Sequence, residues 1–404
     1  MLPRVLMFSP EFYPSVGGAQ RQAELLTAAL MASGVSVEVL AYQQEPEWPL
    51  YERRSDGIVI HRIPFSNLNR RFPRVRNFGL GMMSVALIGA RIVSALRGLA
   101  GRFDVLHAHN ASTPLTVIAV RVARRLGLRT VAKAVNIREW FDLEVLRQHF
   151  WGPLAIRWLR EDVDCWVAIS QAVVEELAAS GIPAERIAHI PNGVRVDARP
   201  NELPETASFF LHLGRLGRTA PRDIAGLVRS FERIARDNPV VELALVGSGD
   251  QLSTVRELVA ASTAGSRIHV PGQQSAAPWL SWAHCLVQPS YVEGMSNALL
   301  EGMAAGLACV AYDIAPNRET LGDGSAGILV PVEDHAGLTN ALGSLATEPG
   351  LARTWGQRAR QRAERAYDIN QTALQILDVY RDLISCSTDR SAYGGSRRSG
   401  HERS

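Results

Sequence analysis

The chain has 404 residues, which is too long for one ordinary hydrophobic core and predicts two domains. Hydrophobic residues make up 47% and charged residues 21%, as in a soluble globular protein, and a formal net charge of +3 is too small to indicate a nucleic-acid partner. The basic residues are almost all arginine, because Lys133 is the only lysine, so an arginine at any one position is a weak signal.

Cysteine usage and the N-terminus predict a cytoplasmic protein. The four cysteines, at positions 165, 285, 309 and 386, have no paired spacing and read as reduced thiols. The first apolar run, RVLMFSP, is too short for a signal peptide. We also expect no membrane span, because no apolar run reaches the roughly 20 residues that a span needs.

In the first half of the chain, short apolar runs alternate with helical patterns. Strands are predicted at 4–9, 35–42, 57–63, 104–109, 129–135, 165–170 and 186–191. Buried strands that alternate with helices indicate a parallel sheet with helices on both faces.

After a stretch rich in Pro, Asn and Glu, the alternation starts again. Strands are predicted at 208–216, 241–247, 267–272, 285–290, 307–313 and 327–332, with helices near 222–237, 251–263, 296–305, 334–347, 351–366 and 369–385. The fold class is therefore α/β, with two tandem Rossmann-like doubly wound domains that face each other across a cleft. We expect domains at 1–197 and 198–368, a last helix at 369–386 and a disordered tail at 387–404.

Two stretches of the first half predict ligand contacts at strand ends. In EFYPSVGGAQRQAELL, Gly17 and Gly18 allow close approach of the backbone, and the following helix presents free N–H groups to an anion, although an ordinary tight turn has the same pattern. DVLHAHN places His107 and His109 on one side of a strand. Without a third ligand nearby the pair is a weak metal site, so we interpret His109 as a sugar-hydroxyl contact and His107 as a packed, satisfied side chain.

GRLGRTAPRDIAGLVRSF opens the second half with three arginines. Arg215 leaves the first strand there, and Arg218 and Arg222 lie at the mouth of the next helix, where guanidinium groups beside helix N–H groups suit a diphosphate. VGSGDQ, which contains Gly247, is a common strand-end turn that is able to contact phosphate or ribose.

YVEGMSNALLEGMAAGLACV holds Glu293 in a loop and Glu301 about one turn into the following helix. The residues between them that could contact a ligand are Gly294, Met295, Ser296 and Asn297. Either Ser296 or Asn297 can cap the helix and leave neighbouring amides for an anion or a sugar hydroxyl. A carboxylate accepts from two adjacent hydroxyls, so Glu301 suits a ribose diol and Glu293 suits the transferred sugar.

Two further stretches favour structural roles. DVDCW (162–166) has an Asp-x-Asp spacing that holds a metal in some sugar transferases, but it leads straight into a buried strand, and we predict no metal site. The basic and apolar stretch 70–102 is expected to be a core-facing amphipathic helix after a basic loop. A peripheral contact with an anionic membrane and a greasy acceptor site are the alternatives.

These motifs, in this order, resemble the family 4 retaining glycosyltransferases, which have the two-Rossmann GT-B architecture. The resemblance extends to about residue 385 and is most specific over 290–331. It implies that Glu293 lies near the donor sugar, Glu301 on the nucleotide ribose and Arg215 on the diphosphate.

For the first domain, the resemblance implies that His109 lies near the donor sugar and that Gly17 and Gly18 lie at the diphosphate and acceptor. It also implies that the last helix crosses back onto this domain. The family usually carries a lysine a few residues after the GRL arginine, and this chain has none there. Arg222 is the predicted substitute, with Arg218 second.

The resemblance implies a retaining, metal-independent transferase. It would move a hexose or N-acetylhexosamine from a nucleotide-diphosphate sugar, expected to be a UDP-sugar, to a saccharide, lipid-linked or natural-product acceptor. No cofactor and no nucleic acid are expected, and the protein is expected in the cytoplasm, with peripheral contact at the inner face of the membrane. The alternatives are a GT-B-type UDP-sugar 2-epimerase and a non-catalytic sugar-nucleotide-binding protein. A pyridoxal-phosphate phosphorylase is disfavoured, because its lysine belongs to the second domain and Lys133 lies in the first.

Overall fold

The computed structural model describes residues 2–15, 17–65, 78–111, 113–138, 141–149, 151–196, 209–217 and 221–394. Contacts between residues divide the chain into two units, each built on one sheet. The first unit comprises Met1–Ile169, Val173–Ile190 and Thr372–Ser404, and the second comprises Ser170–Ala172 and Pro191–Gln371.

The first unit has an eight-stranded sheet in the order β3-β4-β2-β1-β5-β6-β7-β8. Its strands are β1 (Arg4–Phe8), β2 (Ser36–Gln43), β3 (Tyr51–Arg53), β4 (Val59–Pro64), β5 (Val105–Ala108), β6 (Arg129–Ala134), β7 (Cys165–Ala168) and β8 (Ile187–His189). All neighbours are parallel except β3, which pairs antiparallel with β4 at the edge. Val5 to Phe8 of β1 have no exposed surface, because helices cover both faces of such a sheet.

The described helices of this part of the chain are α1 (Gly18–Ala32), α2 (Phe78–Leu99), α3 (Pro114–Arg125), α4 (Asp142–Arg147), α5 (Gly152–Asp162) and α6 (Gln171–Ala179). Helix α3 shows how the sequence sets these boundaries. Thr113 caps it by accepting from the Thr116 amide at 3.1 Å. Pro114 is in the first turn, where an N–H group would have no partner within the helix, so its missing N–H costs nothing.

The second unit has a six-stranded parallel sheet in the order β11-β10-β9-β12-β13-β14. Its strands are β9 (Phe209–Leu213), β10 (Glu242–Val246), β11 (Ile268–Gly272), β12 (Cys285–Gln288), β13 (Ala308–Tyr312) and β14 (Ile328–Val330). The helices that follow α6 are α7 (Ile224–Asp237), α8 (Leu252–Ala260), α9 (Ala276–Trp282), α10 (Asn297–Ala304), α11 (Ala315–Thr320), α12 (His335–Thr347), α13 (Pro349–Ala366) and α14 (Ile369–Gly394).

These strand orders confirm the predicted α/β class with two doubly wound sheets in tandem. Strand β3 and the short helices α9 and α11 were not predicted. Contacts change from one unit to the other at residues 190 and 191, whereas the predicted boundary at 197 and 198 lies outside the described residues. Helix α14 runs to Gly394, beyond its predicted end at 386, so the first residues of the predicted tail are helical, while 395–404 lie outside the described part.

One described helical segment, Met83–Arg102, which comprises most of α2 and the turn that follows it, is long and apolar enough to cross a membrane by length and composition. The expectation that no run reaches this length is therefore wrong. Only 28% of its most apolar 18-residue window is buried, and the side chains of Met83 and Leu87 are 54% and 40% exposed. A single helix of this kind is weak evidence for a span, and residues 70–77 before it lie outside the described part.

Candidate active site

The second sheet reverses its strand order between β9 and β12. β10 pairs with one edge of β9, and β12 pairs with the other edge. Connections that leave two such strands run to opposite faces of the sheet, so a crevice opens at their carboxyl ends, where ligands of open α/β sheets bind. Gly214 and Arg215 follow β9, and Pro289 and Ser290 follow β12.

Backbone groups form the floor at the carboxyl ends of β9, β10 and β11. The Gly214 amide donates to the Val246 carbonyl at 3.0 Å, and the Gly247 amide donates to the Gly272 carbonyl at 2.9 Å. A Cβ on Gly247 would lie 1.7 Å from the Gly214 oxygen. Gly247 is therefore required for this close approach, and it leaves backbone rather than side chain at the place where the sequence predicts a ligand.

Arg222 lies just before α7 and contacts the residues that follow β9 and β12. Its backbone forms an isolated bridge with Ser290, and its Nη1 donates to the Arg215 carbonyl at 2.9 Å. The guanidinium lies against Gly214, where a Cβ would be 3.0 Å from Nε. The Arg222 side chain is only 9% exposed, so its charge needs a nearby counter-charge. Glu293 provides it, with 2.9 Å between Nη2 and Oε1.

Glu293 is held by three donors. Its Oε1 accepts from Arg222 Nη2 at 2.9 Å, from Ser290 Oγ at 2.9 Å and from Gln288 Nε2 at 3.1 Å. Ser290 and Gln288 are buried. Within the described residues, all the side-chain hydrogen bonds identified for Glu293 reach Oε1, so Oε2 keeps its capacity to accept from a ligand hydroxyl.

Helix α10 begins four residues after Glu293 and is capped by Ser296. The Ser296 hydroxyl accepts from the Leu299 amide at 3.3 Å. Asn297, the other predicted cap, instead accepts from Asn192 Nδ2 at 2.9 Å through its side-chain oxygen. The first amides of a helix have no partner within the helix, which makes this end suitable for an anion. Glu301 is half-buried in the same helix.

Asp223, the residue after Arg222, forms a polar network that holds the start of α7. Asp223 caps the helix by accepting from the Gly226 amide at 2.7 Å, and it also accepts from Tyr312 Oη at 2.7 Å and pairs with His335 Nε2 at 2.6 Å. Burial works to raise the pKa of Asp223, but these hydrogen bonds outweigh it and lower the pKa. The Asp223 amide donates to the Pro289 carbonyl at 2.8 Å, so the network also fixes the end of β12.

In the first unit, the sheet reverses its order between β1 and β5, and two predicted stretches lie at this reversal. Helix α1 follows β1 and has Gly17 as its N-cap and Gly18 as its first residue, without a side-chain cap, so its first amides face outward from the helix end. The His109 amide follows β5 and donates to the Phe8 carbonyl at 2.9 Å.

His107, in β5, and His109, just after the strand, are both buried and neutral. Burial, followed by the charge of Lys133, lowers the pKa of His107 to about 3 and places the pKa of His109 well below its usual range. His107 Nδ1 lies 2.5 Å from Tyr380 Oη of α14. Its Nε2 has no partner in the structure's described part, so the prediction of a satisfied His107 holds for one nitrogen only.

The predicted absence of a metal site stays a prediction. Across the described residues, no group of three or more His, Cys, Asp or Glu side chains could hold a metal ion. Asp162 and Asp164 of DVDCW form ion pairs with Arg121 at 2.6 Å and Arg124 at 2.8 Å. These carboxylates therefore anchor the junction between a helix and a strand.

Two family models match most of the chain. The glycosyl transferase 4-like domain matches residues 17–193, and the glycosyl transferases group 1 domain matches residues 207–348. This chain is a family 4 glycosyltransferase with the GT-B fold.

The names of several relatives of this glycosyltransferase describe sugar transferases. A GDP-mannose-dependent alpha-mannosyltransferase of Mycolicibacterium smegmatis is 28% identical over 87% of this chain and 94% of its own length. A phosphatidyl-myo-inositol mannosyltransferase of the same organism is 28% identical over 98% of each chain. Among solved structures, HepE of Anabaena with UDP-glucose gives a TM-score of 0.73 at 16% identity, covering 94% of this chain and 100% of that one. At this identity the match shows the fold.

The glycosyltransferase brings its predicted second-unit residues to one sheet edge. Arg222 and Glu293 are in direct contact, and the Arg215 backbone joins them. The other predicted residues described at this edge or in the adjoining loop and helix are Gly247, Gly294, Met295, Ser296, Asn297 and Glu301. Arg218 lies outside the described residues. The roles assigned to all of these residues stay predictions.

Sequence reasoning missed the groups that hold the two charged side chains in place. Gln288 and Ser290 were treated only as the end of a strand, and Asp223 was not singled out. A polar residue at the end of an otherwise apolar run, as in CLVQPS, is the signal that could have found the first two. A buried polar group there needs a partner, and a charged partner was already predicted nearby.

Proposed function

We propose that this glycosyltransferase moves a hexosyl group from a nucleotide-diphosphate sugar to an acceptor hydroxyl, with retention of the anomeric configuration and without a metal ion. The observation that carries the proposal is the half-buried ion pair of Arg222 and Glu293 at the carboxyl edge of the second sheet. It holds a cation suited to a diphosphate next to a carboxylate suited to sugar hydroxyls.

The proposed reaction needs stabilisation of the leaving diphosphate. Arg215, Arg222 and the first amides of α10 supply positive charge and N–H donors without a metal ion. The bond between the anomeric carbon and the phosphate oxygen breaks while the acceptor oxygen bonds to the same face, and the leaving phosphate oxygen takes the acceptor proton. Pairing with Arg222 lowers the nucleophilicity of Glu293, which favours a role in orienting the sugar.

The nucleotide of the donor has two candidates. The sequence favours a UDP-sugar, and the solved structure of HepE holds UDP-glucose. The mannosyltransferase relative depends on GDP-mannose by its name, so a GDP-sugar is the second candidate. Glu301 is proposed to accept from the ribose diol, a contact that both nucleotides offer.

For the acceptor, we propose a saccharide, a lipid-linked saccharide or a small natural product. The exposed apolar side chains of Met83 and Leu87 on α2 support a peripheral contact with the inner face of the membrane. Co-sedimentation with vesicles that contain anionic lipid tests this contact, and a Met83→Ser, Leu87→Ser double variant should lose it. Equal binding of the variant contradicts the proposal.

Calorimetry and thermal shift with UDP-, GDP-, ADP- and dTDP-sugars, in EDTA and then in magnesium, test the donor. One nucleotide class should bind in EDTA, and Glu301→Ala should weaken that binding by about tenfold or more. Glu257→Ala is the matched control, because it removes an exposed helical glutamate from the same unit. NMR of the product reports the anomeric configuration.

The panel separates the proposal from its alternatives. Binding of a donor that is turned over with an acceptor supports a transferase, and conversion of the free sugar nucleotide to its 2-epimer points to an epimerase. Binding without turnover under any acceptor points to a sensor. If no sugar nucleotide binds, the assignment of Glu293 and Glu301 to a donor fails.

A further inference from the structure

Lys133, the only lysine of the chain, is buried in the sheet of the first unit. It lies in β6, one residue before the end of the strand, and is 3% exposed. The structure identifies no hydrogen bond or ion pair between Lys133 and another described residue. A buried ammonium without a counter-charge is costly, so this position needs a reason.

The register of the sheet places Lys133 beside His109. Ala108, the last residue of β5, pairs with Ala132 of β6, and continuing this register one step past the end of β5 brings His109 opposite Lys133. Side chains of paired residues project to the same face of a sheet, and His107 shares that face because it lies two residues before His109. The charge of Lys133 acts on both histidines, which agrees with this placement.

The groups that face Lys133 offer hydrogen-bond capacity but no negative charge. Among the described residues, those identified on this face are His107 from β5, His109 just after the strand and, through His107, Tyr380 from α14. The carboxylate that closes the loop after β6 is Asp142, and it accepts from the Val135 amide at 2.7 Å and the Asn136 side chain at 3.1 Å. Burial alone lowers the pKa of Lys133, to about 7, and no described carboxylate raises it.

Two buried atoms in the same cluster also lack partners. Nδ1 of His109 and Nε2 of His107 have no hydrogen-bond partner among the described residues. His109 follows β5, at the carboxyl edge where the first sheet reverses its order and where ligands of such sheets bind. The cluster thus combines one cation and two unsatisfied nitrogens at a ligand-binding edge.

We propose that Lys133, together with His109, recognises an anionic group of the substrate that binds the first unit. The chemistry is that of an oxyanion, either the carboxylate of a sugar acid or a phosphate. The identification of this ligand as a sugar or a sugar phosphate rests on the proposed function. The ligand supplies the missing counter-charge, and Lys133 becomes fully protonated when the anion binds.

The single lysine makes a direct test possible in the full chain. Protein grown with ¹³C,¹⁵N-lysine carries one labelled side chain, whose NMR signal reports the Lys133 pKa. Addition of glucuronate or of inorganic phosphate should raise that pKa by about one unit or more, whereas glucose should not. Glucuronate and phosphate are separate arms, and the stronger response identifies the source of the anion.

Variants test the same proposal through affinity. Lys133→Met should weaken calorimetric binding of the responding anion by about tenfold or more, and Lys133→Arg should restore part of it. Arg97→Met is the matched control, because it removes one exposed positive charge from the same unit. The proposal is overturned if neither anion moves the Lys133 pKa, or if Arg97→Met loses as much affinity as Lys133→Met.

The outcome is separable from that of the proposed transfer reaction. Donor binding is read through Glu301 in the second unit, whereas the lysine signal is read in the first. A response of Lys133 without any sugar-nucleotide binding would keep the anion site and remove the transferase donor assignment. Sugar-nucleotide binding with an unresponsive Lys133 would keep the donor assignment and remove the anion site.

Discussion

Replacing Glu293 by glutamine tests the ion pair with Arg222, because the substitution keeps the size of the side chain and removes its charge. In the variant, the guanidinium of Arg222 stays buried next to a neutral amide. We expect a lower free energy of unfolding and a loss of transferase activity. Binding of the free nucleoside diphosphate should be retained, since Arg222 no longer shares its charge with a carboxylate.

The distance sets the size of the expected effect. At 2.9 Å between Nη2 and Oε1, Coulomb's law with an effective dielectric constant of about 20 gives about 6 kcal/mol of gross attraction. Desolvation of both groups offsets part of this, and removing one partner of a buried pair costs about 3–5 kcal/mol. Because the side chains are 9% and 16% exposed, the lower end applies, and we expect a loss of about 3 kcal/mol.

Urea denaturation of four proteins measures the contribution of the pair. The set is the wild type, Glu293→Gln, Arg222→Met and the double variant. Neighbouring groups that form an ion pair should show a coupling energy of at least about 1 kcal/mol in this cycle. Calorimetry with UDP and GDP on the same proteins separates the loss of stability from any loss of nucleotide binding.

A coupling energy below about 0.5 kcal/mol would refute the reasoning, because the two residues would then act independently. Loss of nucleotide affinity in Glu293→Gln equal to that in Arg222→Met would contradict the separate roles given to the carboxylate and the guanidinium. Ser290→Ala provides a check on the hydrogen-bond part of the estimate. It removes one of the three donors to Oε1 without changing any charge.

Three further predictions concern stability. Lys133 has a pKa of about 7 when folded and an ordinary value of 10.5, so the folded chain binds fewer protons than the unfolded chain between these values. Stability should therefore rise with pH across this window, by ~5 kcal/mol over its full width, of which about half falls between pH 6.5 and pH 9. Lys133→Met should remove the rise when urea denaturation is compared at these two pH values. An unchanged pH dependence in the variant would contradict the burial argument. Gly247→Ala should lose more than about 3 kcal/mol or fail to fold, because its Cβ would lie 1.7 Å from a carbonyl oxygen, whereas Gly98→Ala, with no atom within 4 Å, should be neutral or slightly stabilising. Equal melting temperatures for Gly247→Ala and Gly98→Ala would contradict the argument from close approach. Tyr380→Phe removes the hydrogen bond to His107 and should cost about 1–3 kcal/mol in urea denaturation, and an unchanged midpoint would show that the bond contributes nothing.

The strands were predictable because buried parallel strands are short and almost wholly apolar. Runs such as RVLMFS and LACVAYD carry this signal within a few residues of their own sequence. Strand β3 has only three residues, of which Tyr51 and Arg53 are exposed, and it pairs at an edge, so no pattern distinguishes it from a loop. Helix α11, six residues long, is too short for a helical period to show.

The charged members of the site were predictable, but their pairing was not. Arg222 stands out in the strand-to-helix turn that opens the second half, and Glu293 stands out in a later strand-to-helix loop. Their contact depends on β12 lying beside β9 rather than beside β11, the strand that precedes it along the chain. The contact of His107 with Tyr380 spans 273 positions, and Lys133 is placed by the pairing of β6 with both β5 and β7. Local sequence carries none of this information.

The glycines at the edge of the second sheet limit how its specificity can change. A side chain on Gly247 or Gly249 would meet a backbone oxygen within 2.1 Å, and one on Gly214 would press on the Arg222 guanidinium. Substitution of these glycines is therefore an unfavourable way to reshape the proposed donor site from its floor. Variation has to enter through the walls, in the turn after β11 and the loop before α10, and libraries aimed at new donors should randomise residues 273–275 and 291–292 while leaving these three glycines fixed.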